Sequence, residues 1–170
     1  HWTAGTEHTH DNIAFTAWNE TTSWPTETGN YYLTDNVTIT SAWEPADGVN
    51  LCLNGKTITM NGNNDAISVD GARTFNLYDN AANEGEITHG TNNNSQKYTG
   101  RGVHVLKGTF NMYGGKIAGN MVNDAGGGVR VANGTFNMHG GKIVDNAASA
   151  NGGGVDIYNN QTFIMSGGTI

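Results

Sequence analysis

One block of residues recurs every 26 positions through the second half of this chain. Gly102-Val103-His104-Val105 returns as Gly128-Val129-Arg130-Val131 and again as Gly154-Val155-Asp156-Ile157. Between these, Gly108-Thr109-Phe110-Asn111-Met112 returns as Gly134-Thr135-Phe136-Asn137-Met138 and as Gln161-Thr162-Phe163-Ile164-Met165. Gly-Gly-Lys-Ile at 114–117 returns at 140–143 and, as Gly-Gly-Thr-Ile, at 167–170. A unit this short cannot bury an apolar face by itself, so successive copies must stack and cover one another.

Within each unit the apolar residues alternate: Val103 and Val105, then Phe110 and Met112, then Ile117. A period of two belongs to short strands with one buried face, and the Gly and Asn runs between them are turns. The expected fold is an all-β, three-faced parallel β-helix (a solenoid) with three short strands per coil. Stacking in register places Val103 over Val129 over Val155, and Phe110 over Phe136 over Phe163, with rungs about 4.8 Å apart.

A looser form of the pattern runs backward from residue 102. Ala66-Ile67-Ser68-Val69, Thr74-Phe75-Asn76-Leu77 and Gly85-Glu86-Ile87 make an earlier coil, with enlarged loops at about 79–84 and 89–99. Leu51-Cys52-Leu53 with Thr57-Ile58-Thr59-Met60, and Tyr31-Tyr32-Leu33 with Val37-Thr38-Ile39, supply two more. Residues 1–27 fall outside the repeat and hold Trp2, Trp18 and Trp24. An uncovered end of a parallel sheet needs a lid, so 1–27 is expected to be an N-terminal cap and 28–170 the β-helix. The chain starts without Met and stops within a repeat, which suggests a piece of something longer with a truncated C-terminal end, open to continuation or end-to-end stacking.

Composition narrows the function. Charged residues are 14% of the chain, against about 25% in an ordinary soluble domain, and Asn, Thr and 25 Gly take their place. A formal net charge of −7 leaves no basic patch for phosphates, which argues against a nucleic-acid partner. No run of 18 apolar residues is present, so membrane insertion is not expected. The single cysteine, Cys52, rules out an intrachain disulfide and sits in an apolar run where a buried thiol is expected. The Gly-Gly-Gly runs at 126–128 and 152–154 precede strands, not helices, so they are corners and no phosphate-binding loop. Nothing calls for a cofactor.

The run Gly29-Asn30-Tyr31-Tyr32-Leu33-Thr34-Asp35-Asn36-Val37, followed by Asn50-Leu51-Cys52-Leu53-Asn54-Gly55-Lys56-Thr57-Ile58, resembles the opening of right-handed β-helix modules in large cell-surface proteins of Gram-positive gut bacteria. The Gly-Gly-Gly-Val, Gly-Thr-Phe-Asn-Met and Gly-Gly-Lys-Ile repeats are similar to the coils that follow in that group. The likeness covers about residues 8–170. It implies a secreted or wall-attached, extracellular setting and an adhesive or sugar-binding role, with a polysaccharide, glycan or host surface as partner. It brings no catalytic motif. A wider likeness to pectate-lyase-type β-helices is one of fold alone, and fold does not set function.

Five groups of residues are candidates for chemistry. Ser68, His104, Arg130 and Asp156 share one outward position in successive coils. If the chain were a polysaccharide lyase or glycoside hydrolase, His104, Arg130 and Asp156 would carry the reaction. Glycoside hydrolysis ordinarily takes two carboxylates and this row offers one; the alternatives are a sugar-binding row, with His104, Arg130 and Asp156 as ligand contacts, and a surface ladder of weakly paired charges. A second array, Thr38-x-Thr40, Thr57-x-Thr59, Thr74-x-Asn76, Thr109-x-Asn111 and Thr135-x-Asn137, forms a lattice of hydroxyls and amides that could order water, as on ice-binding surfaces, or simply suit a sheet. His8, His10 and Asp11 could share a Zn²⁺. Asn61-Gly62-Asn63-Asn64-Asp65, with Asp79, Glu84 and Glu86, is an oxygen-rich set thin for Ca²⁺. Trp18, Trp24, Trp43, Tyr98 and Tyr113 would stack on sugars where their rings are exposed, and Tyr98 and Tyr113 are the better placed of these.

Three readings stay open: a non-catalytic adhesion or glycan-binding module, an enzyme on the same fold using Asp156, Arg130 and His104, and a structural stalk. Whether the 79–84 and 89–99 loops form an ordered pocket separates the first from the third.

Overall fold

The computed structural model describes residues 8–10, 13–79 and 81–170, and among these the chain is all-β with no helix. The strands run in order β1 His8–His10, β2 Ile13–Trp18, β3 Asn30–Leu33, β4 Val37–Ile39, β5 Val49–Cys52 and β6 Thr57–Met60. They continue as β7 Ile67–Val69, β8 Arg73–Tyr78, β9 Glu86–His89, β10 Val103–Val105, β11 Gly108–Met112, β12 Lys116–Ala118 and β13 Met121–Val122. The last are β14 Val129–Val131, β15 Gly134–Met138, β16 Lys142–Val144, β17 Ala147–Ala148, β18 Val155–Ile157 and β19 Thr162–Met165.

These strands build an eight-stranded sheet of order β1-β2-β3-β5-β8-β11-β15-β19, a five-stranded sheet β16-β12-β9-β6-β4 and a four-stranded sheet β18-β14-β10-β7, with β13 and β17 as a small fourth pair. Every strand pairing is parallel except β1 with β2, a hairpin at the start. Parallel neighbours need a long crossover, here one repeat of chain that visits the other sheets before returning. The arrangement is compatible with a β-helix or solenoid. Ile13–Trp18 enters the same ladder, with Thr16 opposite Tyr31 and Trp18 opposite Leu33.

Register follows the repeat. Phe75, Phe110, Phe136 and Phe163 are aligned across β8, β11, β15 and β19, and their rings stack at centroid distances of 5.7, 5.0 and 4.9 Å. Val103, Val129 and Val155 align likewise. Phe75, Phe110 and Phe136 are fully buried, each such side chain contributing about 1.5–3 kcal/mol over exposure. Phe163, in the last rung, is only partly buried, and Ile164, Met165 and Ile170 are exposed there.

The recurrent glycines have a steric cause at the corners before Thr109-Phe110-Asn111 and Thr135-Phe136-Asn137. Gly108 and Gly134 adopt φ of 141° and 147°, and a Cβ on Gly134 would overlap the carbonyl oxygen of Gly108 one rung away. Next to the phenylalanines on the opposite face, asparagines form a continuous amide ladder. Asn50, Asn76, Asn111 and Asn137 each donate Nδ2–H to the side-chain oxygen of the preceding rung, at 2.7–2.8 Å, back to Asn30.

Candidate functional site

The outward column Ser68, His104, Arg130, Asp156 lies in register on β7, β10, β14 and β18. Parallel pairing at the repeat spacing puts these side chains one rung apart, but His104 and Arg130 make their shortest contacts to residues outside the column. His104 Nδ1 lies 2.7 Å from Asp65 Oδ2, and an ionised carboxylate only accepts, so Nδ1 donates. The same Asp65 accepts the Arg101 backbone N–H at 2.9 Å and faces Arg101 Nη1 at 3.3 Å. Arg101 continues to Asp124 Oδ2 at 2.6 Å, and Arg130 closes on that same oxygen. Arg130 Nε reaches Asp156 Oδ2 at 3.5 Å as an ion-pair contact without hydrogen-bond alignment, and its guanidinium lies 5.5 Å from the Tyr158 ring centroid.

The result is a chain in which nitrogen-bearing side chains and carboxylates alternate: His104, Asp65, Arg101, Asp124, Arg130, Asp156. Burial pushes the Asp65 carboxyl up. The His104 hydrogen bond, the Arg101 backbone N–H and the neighbouring charges outweigh it and hold the group below its ordinary value near 3.8. For Asp124 desolvation pushes the carboxyl up, but the Arg130 charge and hydrogen bond, the Arg101 charge and the Ala125 backbone N–H together outweigh it, and the carboxyl is lowered too. Two carboxylates thus stand beside the predicted row, supplied by turns, yet both are held ionised and paired to guanidinium groups. Such pairing binds charge to charge, and neither Asp65 nor Asp124 keeps a proton to give.

Asp124 and Arg101 carry no periodic signal in the sequence, because one repeat later their places are taken by Ala150 and Gly127. Asp65 was legible only as the end of an oxygen-rich turn. The other members of that Ca²⁺ candidate are likewise engaged. Asp79 accepts backbone N–H groups from Gly55 at 3.2 Å, Ala81 at 3.0 Å and Gly85. Glu84 pairs with Lys142 at 2.8 Å and Glu86 with Lys116 at 3.0 Å. Among the described residues no group of three His, Cys, Asp or Glu could hold a metal ion. Of the Zn²⁺ candidate, Asp11 lies outside the described residues, and the His10 ring packs against Phe15 and Tyr78 at 4.7 and 4.9 Å; His8 is described as the first residue of β1.

The aromatic candidates divide by how their ring faces are used. Tyr113 is 42% exposed, but Tyr78 stacks on it at 4.7 Å and His139 at 4.8 Å. Both faces of the ring are covered, and what it offers solvent is its edge and hydroxyl. Tyr98 is half-buried, its backbone N–H donating to Gly90 O in a loop closed by the Thr91–Lys97 bridge. Trp43 is buried and stacked on Trp24 at 4.4 Å, and Trp18 and Trp24 pack on the core.

Both enlarged loops are tied down. The 91–99 loop is held by Asn92 and by Asn63, whose side-chain oxygen takes the Thr99 N–H at 3.0 Å. Beneath it His89, 2% exposed, bridges the Asn64 carbonyl at 2.8 Å and the Asn120 side-chain oxygen at 2.7 Å. Residues 81–83, anchored through Asp79, border a hollow of about 370 Å³ with Asn54, Gly55 and Lys56. Asn83 O would contact a Cβ on Gly55 at 2.7 Å, so the loop seats on that glycine. A second hollow of about 400 Å³ is lined by Pro25, Thr26, the edge of Trp43, Glu44, Ala46, Asp47 and Arg73. Cys52, the single cysteine of the chain, is buried, and among the described residues no helix is long and apolar enough to cross a membrane.

Comparison of the chain with protein-family models, with curated proteins and with solved structures returns no match.

Proposed function

We propose that this chain is a right-handed parallel β-helix with three strands per coil, of the kind borne by surface proteins of Gram-positive gut bacteria, and that it holds a glycan without cutting it. On this reading it is secreted or wall-attached, and its N-terminal segment caps the first coil. The coil is supported by the constant order in which the chain visits the three main sheets, β7-β8-β9 and then β10-β11-β12, β14-β15-β16 and β18-β19. Its hand follows the near-universal right-handedness of parallel crossovers.

The observation that carries the binding role is the hollow at residues 81–83. It is of the size that takes a small ligand, it is edged by amide, ammonium and backbone groups, and its loop is ordered by a carboxylate that spends its oxygens on three backbone N–H groups. Polar groups converging on a shallow depression suit a polyol. The pairing of Arg130 and of both lowered carboxylates favours holding over hydrolysis, because neither Asp65 nor Asp124 keeps a proton to give.

The test is a glycan array probed with the wild type and with Ala82→Trp, which fills the hollow from an exposed position. Binding of at least one glycan or mucin, lost in the variant, is the expected result. Wild-type protein that binds nothing on the array overturns the reading and leaves the stalk, which the internally satisfied asparagine ladder favours.

A further inference from the structure

The outer face of the eight-stranded sheet carries three columns that the hollow does not use. Thr74, Thr109, Thr135 and Thr162 align in one; Asn76, Asn111, Asn137 and Ile164 in the next; Tyr78, Tyr113, His139 and Ser166 follow at the strand ends. The asparagine amides bond to one another. The threonine hydroxyls do not: among the described residues Thr74, Thr109, Thr135 and Thr162 have no side-chain hydrogen-bond partner, though the first three are half-buried and the last exposed. A row of unspent donor–acceptor groups, one per rung, runs along the stacking direction, and no Lys, Arg, Asp or Glu stands in any of the three columns.

We propose that this face binds a neutral, extended β-1,4-linked glycan lying along the stack of rungs, one sugar to each rung. The spacing motivates the choice of ligand. Stacked rings on this face repeat at 4.7 and 4.8 Å, the distance between paired strands. A pyranose chain joined through equatorial bonds at both ends advances by nearly that length per sugar. An α-1,4-linked chain coils and advances less, so it loses register after a residue or two. Each sugar then meets a threonine hydroxyl able to donate and accept; the first three rungs add the outward half of an asparagine amide, and the second adds the hydroxyl edge of Tyr113. The covered faces of Tyr113 fit this mode, since the polymer is met edge-on and not by stacking. Single contacts of this kind are weak, so affinity must accumulate with length up to the four rungs of threonine.

The proposal deepens the glycan reading but uses a different surface, so the two can fail separately. Sedimentation with microcrystalline cellulose and with chitin, against amylose as control, measures polymer binding. Titration with cello-oligosaccharides of two to six sugars measures length dependence. Thr109→Val with Thr135→Val keeps the β-branched shape and removes no internal hydrogen bond; Thr38→Val, exposed on β4, is the control. The expected result is binding to a β-1,4-glycan but not to amylose, rising to four sugars, about tenfold weaker in the double valine variant and unchanged in Thr38→Val and in Ala82→Trp. Overturning results are wild-type protein that ignores cellulose, chitin and the oligosaccharides, binding indifferent to the valines, or thermal hysteresis without glycan binding. Array binding lost in Ala82→Trp, with no polymer binding, sinks this proposal alone.

Discussion

Nδ1 of His104 donates to the carboxylate of Asp65 at 2.7 Å across 39 residues of chain. That contact joins the turn after β6 to the strand β10 and begins the charge network that runs on through Arg101 to Asp156.

Acid should weaken this junction. The Asp65 carboxyl is lowered from its ordinary value near 3.8, so its stabilisation is complete above that pH and disappears as pH falls through the lowered folded value. Chemical denaturation between pH 7 and 2.5 is expected to show stability declining below about pH 4. Asp65→Asn should show a shallower decline, along with a loss of about 2–4 kcal/mol at neutral pH from leaving Arg101 short of a partner. A wild-type profile flat down to pH 2.5 contradicts the assignment.

Core position should grade the cost of truncation. Phe136→Ala removes a fully buried ring stacked on both sides, and about 3–5 kcal/mol should go with it. Phe163→Ala, at a partly buried position, should cost less than half as much by urea unfolding. Equal costs would mean that the last rung is covered in solution.

The asparagine ladder predicts a chemical asymmetry. Asn111 donates to Asn76 and accepts from Asn137. Asn111→Asp keeps the acceptor and loses the donor, setting a carboxylate oxygen against the Asn76 oxygen. It should be less stable than wild type by about 1–3 kcal/mol at pH 7. Protonation restores a donor, so lowering the pH toward 4 should narrow the gap. A deficit that stays constant with pH rules out the ladder as the cause.

At the corner, Gly134→Ala should destabilise by at least about 2 kcal/mol, since it meets both an unfavourable φ and the Gly108 carbonyl. Ala132→Gly, a half-buried position two residues earlier, is expected to lie within about 1 kcal/mol of wild type by thermal melting.

Much of the arrangement was legible from residues alone, and the reason is particular. Phe110 and Phe136 must coincide because a 26-residue interval with alternating apolar pieces has one way to bury them, and their rings do stack. The row His104, Arg130, Asp156 was readable for the same reason. Its chemistry was not. Asp65, Arg101 and Asp124 reach it from turns in which the repeat does not preserve residue type, and they turn an open row of acid and base into ion pairs and hydrogen bonds. Tyr113 shows the same division: its exposure could be expected, but the stacking of Tyr78 and His139 on its two faces could not.

Sequence by itself determined which side chains lie above one another, because a repeat imposes one register on every coil it builds. Tertiary structure alone decided what those side chains do, because hydrogen bonds and ion pairs are made by whichever loop the fold brings within about 3 Å. For the loops of this chain, that distance is set by turn geometry that no spacing encodes.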